Sequence, residues 1–168
     1  MTHNDHGPKS APPIHEGSGM SHGRPYLQLA LWFPVHAAAM YLLMFAMIDS
    51  GGDLWNNLNT FWMALLMAAP MNAIMVLSMR RMYPDATKTV LTIGLSAAIA
   101  VGAWFAIRQQ WGIGDTQFLR SMIPHHSGAI LMCREASISD PRIAELCRTI
   151  EAGQREEIRQ MEAILAKD

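Results

Sequence analysis

Charge is scarce in this chain. Only 16% of its 168 residues are Asp, Glu, Lys or Arg, while 51% are hydrophobic; soluble domains carry about 25% charged residues. What charge there is nearly cancels, at 13 basic against 14 acidic residues. With no basic stripe, nothing suits a polyanion, and no nucleic-acid partner is expected. Cysteine is almost missing too. Cys133 and Cys147 are the whole complement, so no CxxC zinc or redox motif exists. HExxH and Ser/His/Asp patterns are also lacking, so no catalytic residue is assigned and the chain is read as a non-enzyme.

The missing charge is missing in blocks. Residues 27–48 (LQLALWFPVHAAAMYLLMFAMI) and 54–79 contain no charged residue, and 89–107 is a third apolar run. Each is near the ~20 residues that span a hydrocarbon core of ~30 Å. Soluble helices need a polar face, and these have almost none. Three membrane helices are predicted, at about 27–48, 55–79 and 88–108, in a membrane domain over 26–110 with the lipid bilayer as partner.

Basic residues set the expected orientation. The first loop, DSGGD at 49–53, has acids only; the second carries Arg80, Arg81 and Lys88, and Lys9 and Arg24 precede the first helix. Positive-inside reasoning puts the amino terminus and second loop in the cytoplasm of a bacterial inner membrane. Everything after the third helix then faces the periplasm or the exterior, with Arg108 the one dissenting charge. Trp55, Trp62, Trp104 and Trp111 fall near the outer ends, as an interfacial belt does. Gly94, Ala98 and Gly102, four residues apart, predict close helix packing.

Residues 1–25 are rich in His, Pro, Gly and Ser and are expected to be a disordered tail. His3, His6, His15 and His22 there either bind metal weakly or are simply solvated. The tail does not read as a secretory signal.

Beyond residue 111 the pattern changes. Asp115 is a candidate N-cap for a helix over about 116–137. Asp140 and Pro141 suit the start of a second, over about 141–166. Together they make an antiparallel hairpin. Alternating steps of four and three give one seam as Phe118, Met122, His125, Ala129, Met132 and Ala136, flanked by Leu119, Ile123, His126, Ile130 and Cys133. In the second helix the seam is Ile143, Cys147, Ile150, Gln154, Glu157, Met161 and Ile164. Two such helices cannot bury a wide apolar face alone. Pairing with a second copy into a four-helix bundle, or docking on the membrane domain, is expected. Pro124 either kinks the first helix or marks its true start.

The segment SMIPHHSGAILMC (121–133) is where chemistry concentrates. Met122, His125 and His126 share one helical turn, and Met132 follows two turns on. Thioether sulfur selects Cu(I), and imidazole suits copper in both oxidation states. The expected site joins Met122, His125 and His126 with Met161 or a second chain, and a second site near Met132 is open. Glu157 is a candidate to orient a histidine from behind. Zinc ordinarily takes more nitrogen, carboxylate or thiolate ligands than this. The plain alternative is core histidines with methionine as filler. Cys133 and Cys147 flank the turn at similar height. A disulfide, a free-thiol pair and soft copper ligands are all open.

From Asp115 onward, DTQFLRSMIPHHSGAILMC and IEAGQREEIRQMEAIL resemble the family known as domain of unknown function 305. Asp115, Phe118, Met122, His125, His126, Ala129, Met132, Gln154, Glu157 and Met161 carry the resemblance, which covers about the last 55 residues. It implies a ferritin-like helical bundle, often exported, with copper binding in some members. Asp115, Gln154 and Glu157 would then support the ligands. Many members have two helix pairs where this chain has one, which favours a homo-oligomer. The resemblance does not extend to the membrane helices.

Methionine is abundant, at 14 residues. Met63, Met67, Met71, Met75 and Met79 recur every four residues in the second membrane helix, and His36, Met40, Met44 and Met47 lie on the first. A soft-ligand path for Cu(I) through His36, Met40, Met44, Met63, Met67 and Met71 is one reading. Flexible apolar packing is the other. The leading expectation is an all-α, membrane-anchored copper-binding protein that buffers copper, resists it or hands it to a copper-handling partner. A metal-free structural or partner-binding protein and a copper transporter are the alternatives.

Overall fold

The computed structural model describes residues 25–167, so the amino-terminal tail expected over 1–25, apart from its last residue, lies outside the described residues. The fold is all-helical. Helix α1 covers Pro25–Leu43 and runs on into a 3-10 turn at Met44–Met47; α2 is Leu58–Ser78 and α3 is Ala86–Gln109. Helices α4 (Asp115–Glu135) and α5 (Pro141–Leu165) follow. The first three segments, at 23, 21 and 24 residues, are long and apolar enough to cross a membrane.

Local chemistry explains most boundaries. Helix α2 starts where the Asn57 side chain accepts the Thr60 amide at 2.8 Å. Helix α3 starts where Asp85 accepts the Lys88 amide at 3.0 Å, and α5 where Asp140 accepts the Arg142 amide at 2.8 Å, with Pro141 next. These side chains satisfy amides that a helix start leaves orphaned. Asp115 does not cap α4. Gly114 holds that position without a side-chain bond, and Asp115 is the first helical residue, where its charge still favours the positive end of the helix. Pro124 lies inside a continuous α4, so the helix does not begin there.

Helix α2 packs against α3 on one side and α1 on the other. Helix α2 buries Ala64, Ala68 and Ala69, and α3 buries Ser96, Ala103 and Ala106, with Asn72 Nδ2 donating to Ser96 Oγ at 3.2 Å; Val76 packs with Leu29 of α1 and Tyr83. The small residues expected at that contact are not in it: Gly94 and Gly102 have open space where a Cβ would stand. Small side chains do make the seam, but Ser96, Ala103 and Ala106 supply them.

The chain then turns back sharply. Gln110 and Gly112 have φ of 52° and 75°, a region that favours glycine. A Cβ on Gly112 would also stand 2.7 Å from Leu58 Cδ2. This turn lays the α4–α5 hairpin over the α1–α2 loop, and α4 touches the two short 3-10 turns before α2, Met44–Met47 and Gly51–Asp53. The hairpin docks on the membrane domain, one of the two outcomes expected for it.

Docking also selects the buried row. In α4 the flanking row faces inward: Ile123 and Ile130 are fully buried with Ile158 and Met161 of α5, and Trp55 of the α1–α2 loop packs against the cluster. The first-named seam divides instead: Met122 packs on that cluster, while Phe118 and Met132 are half exposed. In α5, Ile143 and Ile164 are likewise exposed, and Ile158 is buried where Glu157 was expected. Both rows of α4 are apolar, so periodicity alone could not rank them.

Candidate metal centre

The two adjacent histidines part company. His126 is 8% exposed. Its Nδ1 lies 2.9 Å from the Met122 carbonyl oxygen and its Nε2 lies 2.7 Å from Glu157 Oε2. Both ring nitrogens are therefore engaged within the protein, one by a backbone carbonyl and one by a carboxylate, and a metal would have to displace one of these contacts. His126 is thus a strut between α4 and α5. Met122 packs on the Ile123–Met161 cluster, so Met122, His126 and Met161 form the inside of the hairpin. They do not line the pocket that His125 faces.

His125 is exposed. It lines a cavity of about 360 Å³ between α4 and the end of the apolar helices on which the hairpin sits. Met44 and Met47 reach this cavity from the turn after α1, Met63 from α2 and Met132 from α4. Sequence reasoning named His125, Met44, Met63 and Met132 but assigned them to separate features. Met47 was missed as a partner because only the fold of the loop brings it to the hairpin. Asn59 also lines the cavity, and its Oδ1 is buried with no hydrogen-bond partner among the described residues. Such an orphaned acceptor is rare in a settled interior and points to something that fills the space.

The donor set is soft: one imidazole and four thioethers. That composition matches Cu(I) and is poor for Mg or Ca. Among the described residues no three His, Cys, Asp or Glu side chains cluster, so an ion held here draws on methionine sulfur. The residues present therefore fit copper, with His125, Met132, Met44, Met47 and Met63 as the groups that would hold it.

A network of charge and hydroxyl ties the hairpin to the α1–α2 loop. The Asp49 amide donates to Ser127 Oγ at 2.7 Å, and that hydroxyl donates to Asp53 Oδ2. The Asp49 carboxylate, 8% exposed, pairs with Arg134 of α4 and lies 3.7 Å from Arg155 of α5. Leu58 donates its amide to Gln117 Oε1 at 2.9 Å. Gly128 passes so close to the loop that a Cβ there would meet the Met47 carbonyl at 3.3 Å. None of these contacts had a sequence signal, since the partners lie tens of residues apart.

The remaining candidates are spread out. Cys133 and Cys147 have their Cα atoms 5.2 Å apart and are joined as a disulfide across the hairpin turn, so they do not act as copper ligands in this form. Gln154 is half-buried and Asp115 exposed; neither lines the His125 cavity. His36 and Met71 line a different cavity, and Met40 and Met67 line neither.

An apolar three-helix bundle with a helical hairpin seated on one end defines a membrane-associated helical protein. Its residues 109–165 match the family described as domain of unknown function (DUF305). Over 119 residues the chain is 40% identical to a protein of Acanthamoeba polyphaga mimivirus named "Uncharacterized protein L153", covering 70% of this chain and 76% of that one. The matched length exceeds the hairpin and the amino-terminal tail together, so it takes in part of the apolar helices. The chain belongs to the family of that viral protein and carries the DUF305 domain. No solved structure matches it.

Proposed function

We propose that this is a membrane-anchored copper-binding protein that holds Cu(I) where its hairpin meets the outer end of its membrane helices. The carrying observation is the convergence of His125 and Met132 of α4 with Met44, Met47 and Met63 of the membrane domain around one cavity. The acid-only first loop and the basic second loop support a hairpin on the periplasmic face of a bacterial inner membrane. Met132 is 59% exposed, so the cavity is open to a copper-handling partner, which suits buffering and handover. Exposed Ile143, Leu146 and Ile164 on α5 offer a second copy an apolar face, in keeping with a homo-oligomer.

The test is a Cu(I) competition titration on the full chain in detergent, against a chromophoric Cu(I) chelator. His125→Ala/Met132→Leu is expected to weaken Cu(I) binding at this site at least about tenfold, the scale of losing one good ligand interaction. Equal affinity in wild type and variant would leave the metal-free structural reading in its place.

A further inference from the structure

The methionines of the membrane helices do not form one stripe. They divide between the outer cavity and a second, larger one of about 560 Å³ at the opposite end of the α1–α2 pair. His36 of α1 lines this inner cavity with Met71, Met75 and Met79 of α2, and Met82 joins them from the turn beyond. No residue lines both cavities.

We propose that the inner cavity is a second, independent site for a soft monovalent cation, Cu(I) or its analogue Ag(I). The site goes beyond the outer-cavity reading and stands whether or not the outer cavity takes metal. Among the described residues its lining holds one imidazole and four thioethers and no carboxylate or thiolate. That set is matched to Cu(I) and mismatched to hard divalent cations. Four leucines would fill the same volume equally well; what methionine adds is sulfur. An imidazole inside an apolar segment is costly unless a partner satisfies it, and such residues ordinarily mark a ligand or ion site.

Spacing argues for two ions instead of one shared ion. His36 and Met44 are eight residues apart on one helix, as are Met63 and Met71 on the next. At 1.5 Å per residue that is about 12 Å along the axis, several metal–ligand bond lengths. Met40 and Met67 sit between the two groups without lining either cavity.

The experiment measures Cu(I) stoichiometry of the full chain in lipid nanodiscs by chelator competition, with X-ray absorption at the copper edge. Met71→Leu/Met75→Leu/Met79→Leu keeps apolar volume nearly constant, so helicity and melting should hold. It is expected to remove one equivalent of bound Cu(I) and to lower the mean sulfur count per copper. His36→Gln keeps a polar side chain but no imidazole, and should weaken that equivalent at least about tenfold. His125→Ala/Met132→Leu should leave it in place. Unchanged stoichiometry and affinity in both inner variants would overturn the proposal, and so would loss of both equivalents on changing the outer cavity alone. Loss in the inner variants with no effect of the outer one would support this site and remove the outer reading.

Discussion

At the scale of single residues, adjacent histidines have opposite jobs. His125 is turned to a cavity with free approach, while His126 has both ring nitrogens engaged by Met122 and Glu157. The two should therefore separate under mutation. His126→Ala is expected to lower thermal stability of the full chain by about 1–2 kcal/mol, the worth of its net hydrogen bonding discounted for the exposure of Glu157, while Cu(I) affinity stays within about threefold. His125→Ala should do the reverse. Parallel melts and chelator titrations check this, and a His126→Ala variant that melts like wild type but loses copper would contradict the assignment. The sequence identified both residues as a pair with chemistry. It could not tell strut from ligand, because that depends on which row of α4 faces α5.

At the scale of elements, helix identity was legible and helix facing was not. Uncharged runs gave the three long helices, and Asp140 with Pro141 marked the start of α5. The facing of α4 depended on a loop with no periodic pattern. Trp55 from that loop covers the Ile123 row, while His125, Ala129 and Met132 of the other row line the cavity. The cap of α5 gives a prediction of its own. Hydrogen bonds from the Arg142 side chain and then from its amide hold the Asp140 carboxyl below its ordinary value of 3.8. The folded state thus binds this proton less readily than the unfolded state does. The stabilisation is complete above the unfolded value, near pH 4, and is lost as pH falls through the lower folded value. Asp140→Asn keeps a capping oxygen but removes the charge. Its melting temperature is expected to lie below wild type at pH 7 and to converge with it as pH drops below about 3.5. A gap between the two that does not shrink over that range would show that charge at Asp140 adds nothing to the cap.

At the scale of the whole molecule, the outer cavity exists only because two parts of the chain, the hairpin and the apolar bundle, are held together. Its histidine and one methionine come from the hairpin, and its other three methionines come from the membrane domain. Neither part has the full donor set, which is why a motif search confined to the hairpin finds Met122, His126 and Met161 and misses Met44, Met47 and Met63. The joint between the parts is narrowest at Gly128, which is buried and faces the Met47 carbonyl. Backbone on the far side cannot swing away as a flexible side chain can. Gly128→Val puts three carbons into that gap and should cost about 1–3 kcal/mol as overpacking. The α4–α5 cluster of Ile123, Ile130, Ile158 and Met161 loses only its Trp55 cover on lifting and still joins the two helices. The hairpin should therefore stay helical while lifting from the loop that carries Met44 and Met47. Spin labels on exposed Glu135 and Ser50, introduced as cysteines in a background with Cys133 and Cys147 replaced by serine, read that separation directly. The expected result is a longer, broader distance distribution in Gly128→Val, with circular dichroism near wild type and Cu(I) affinity reduced at the outer site. Gly128→Ala should fall between the two, since the 3.3 Å approach needs a shift of only a few tenths of an ångström and alanine favours the helix. An unchanged distance distribution in Gly128→Val alongside weakened copper would mean that the outer site does not depend on docking. The ligands would then have to be sought within the hairpin alone.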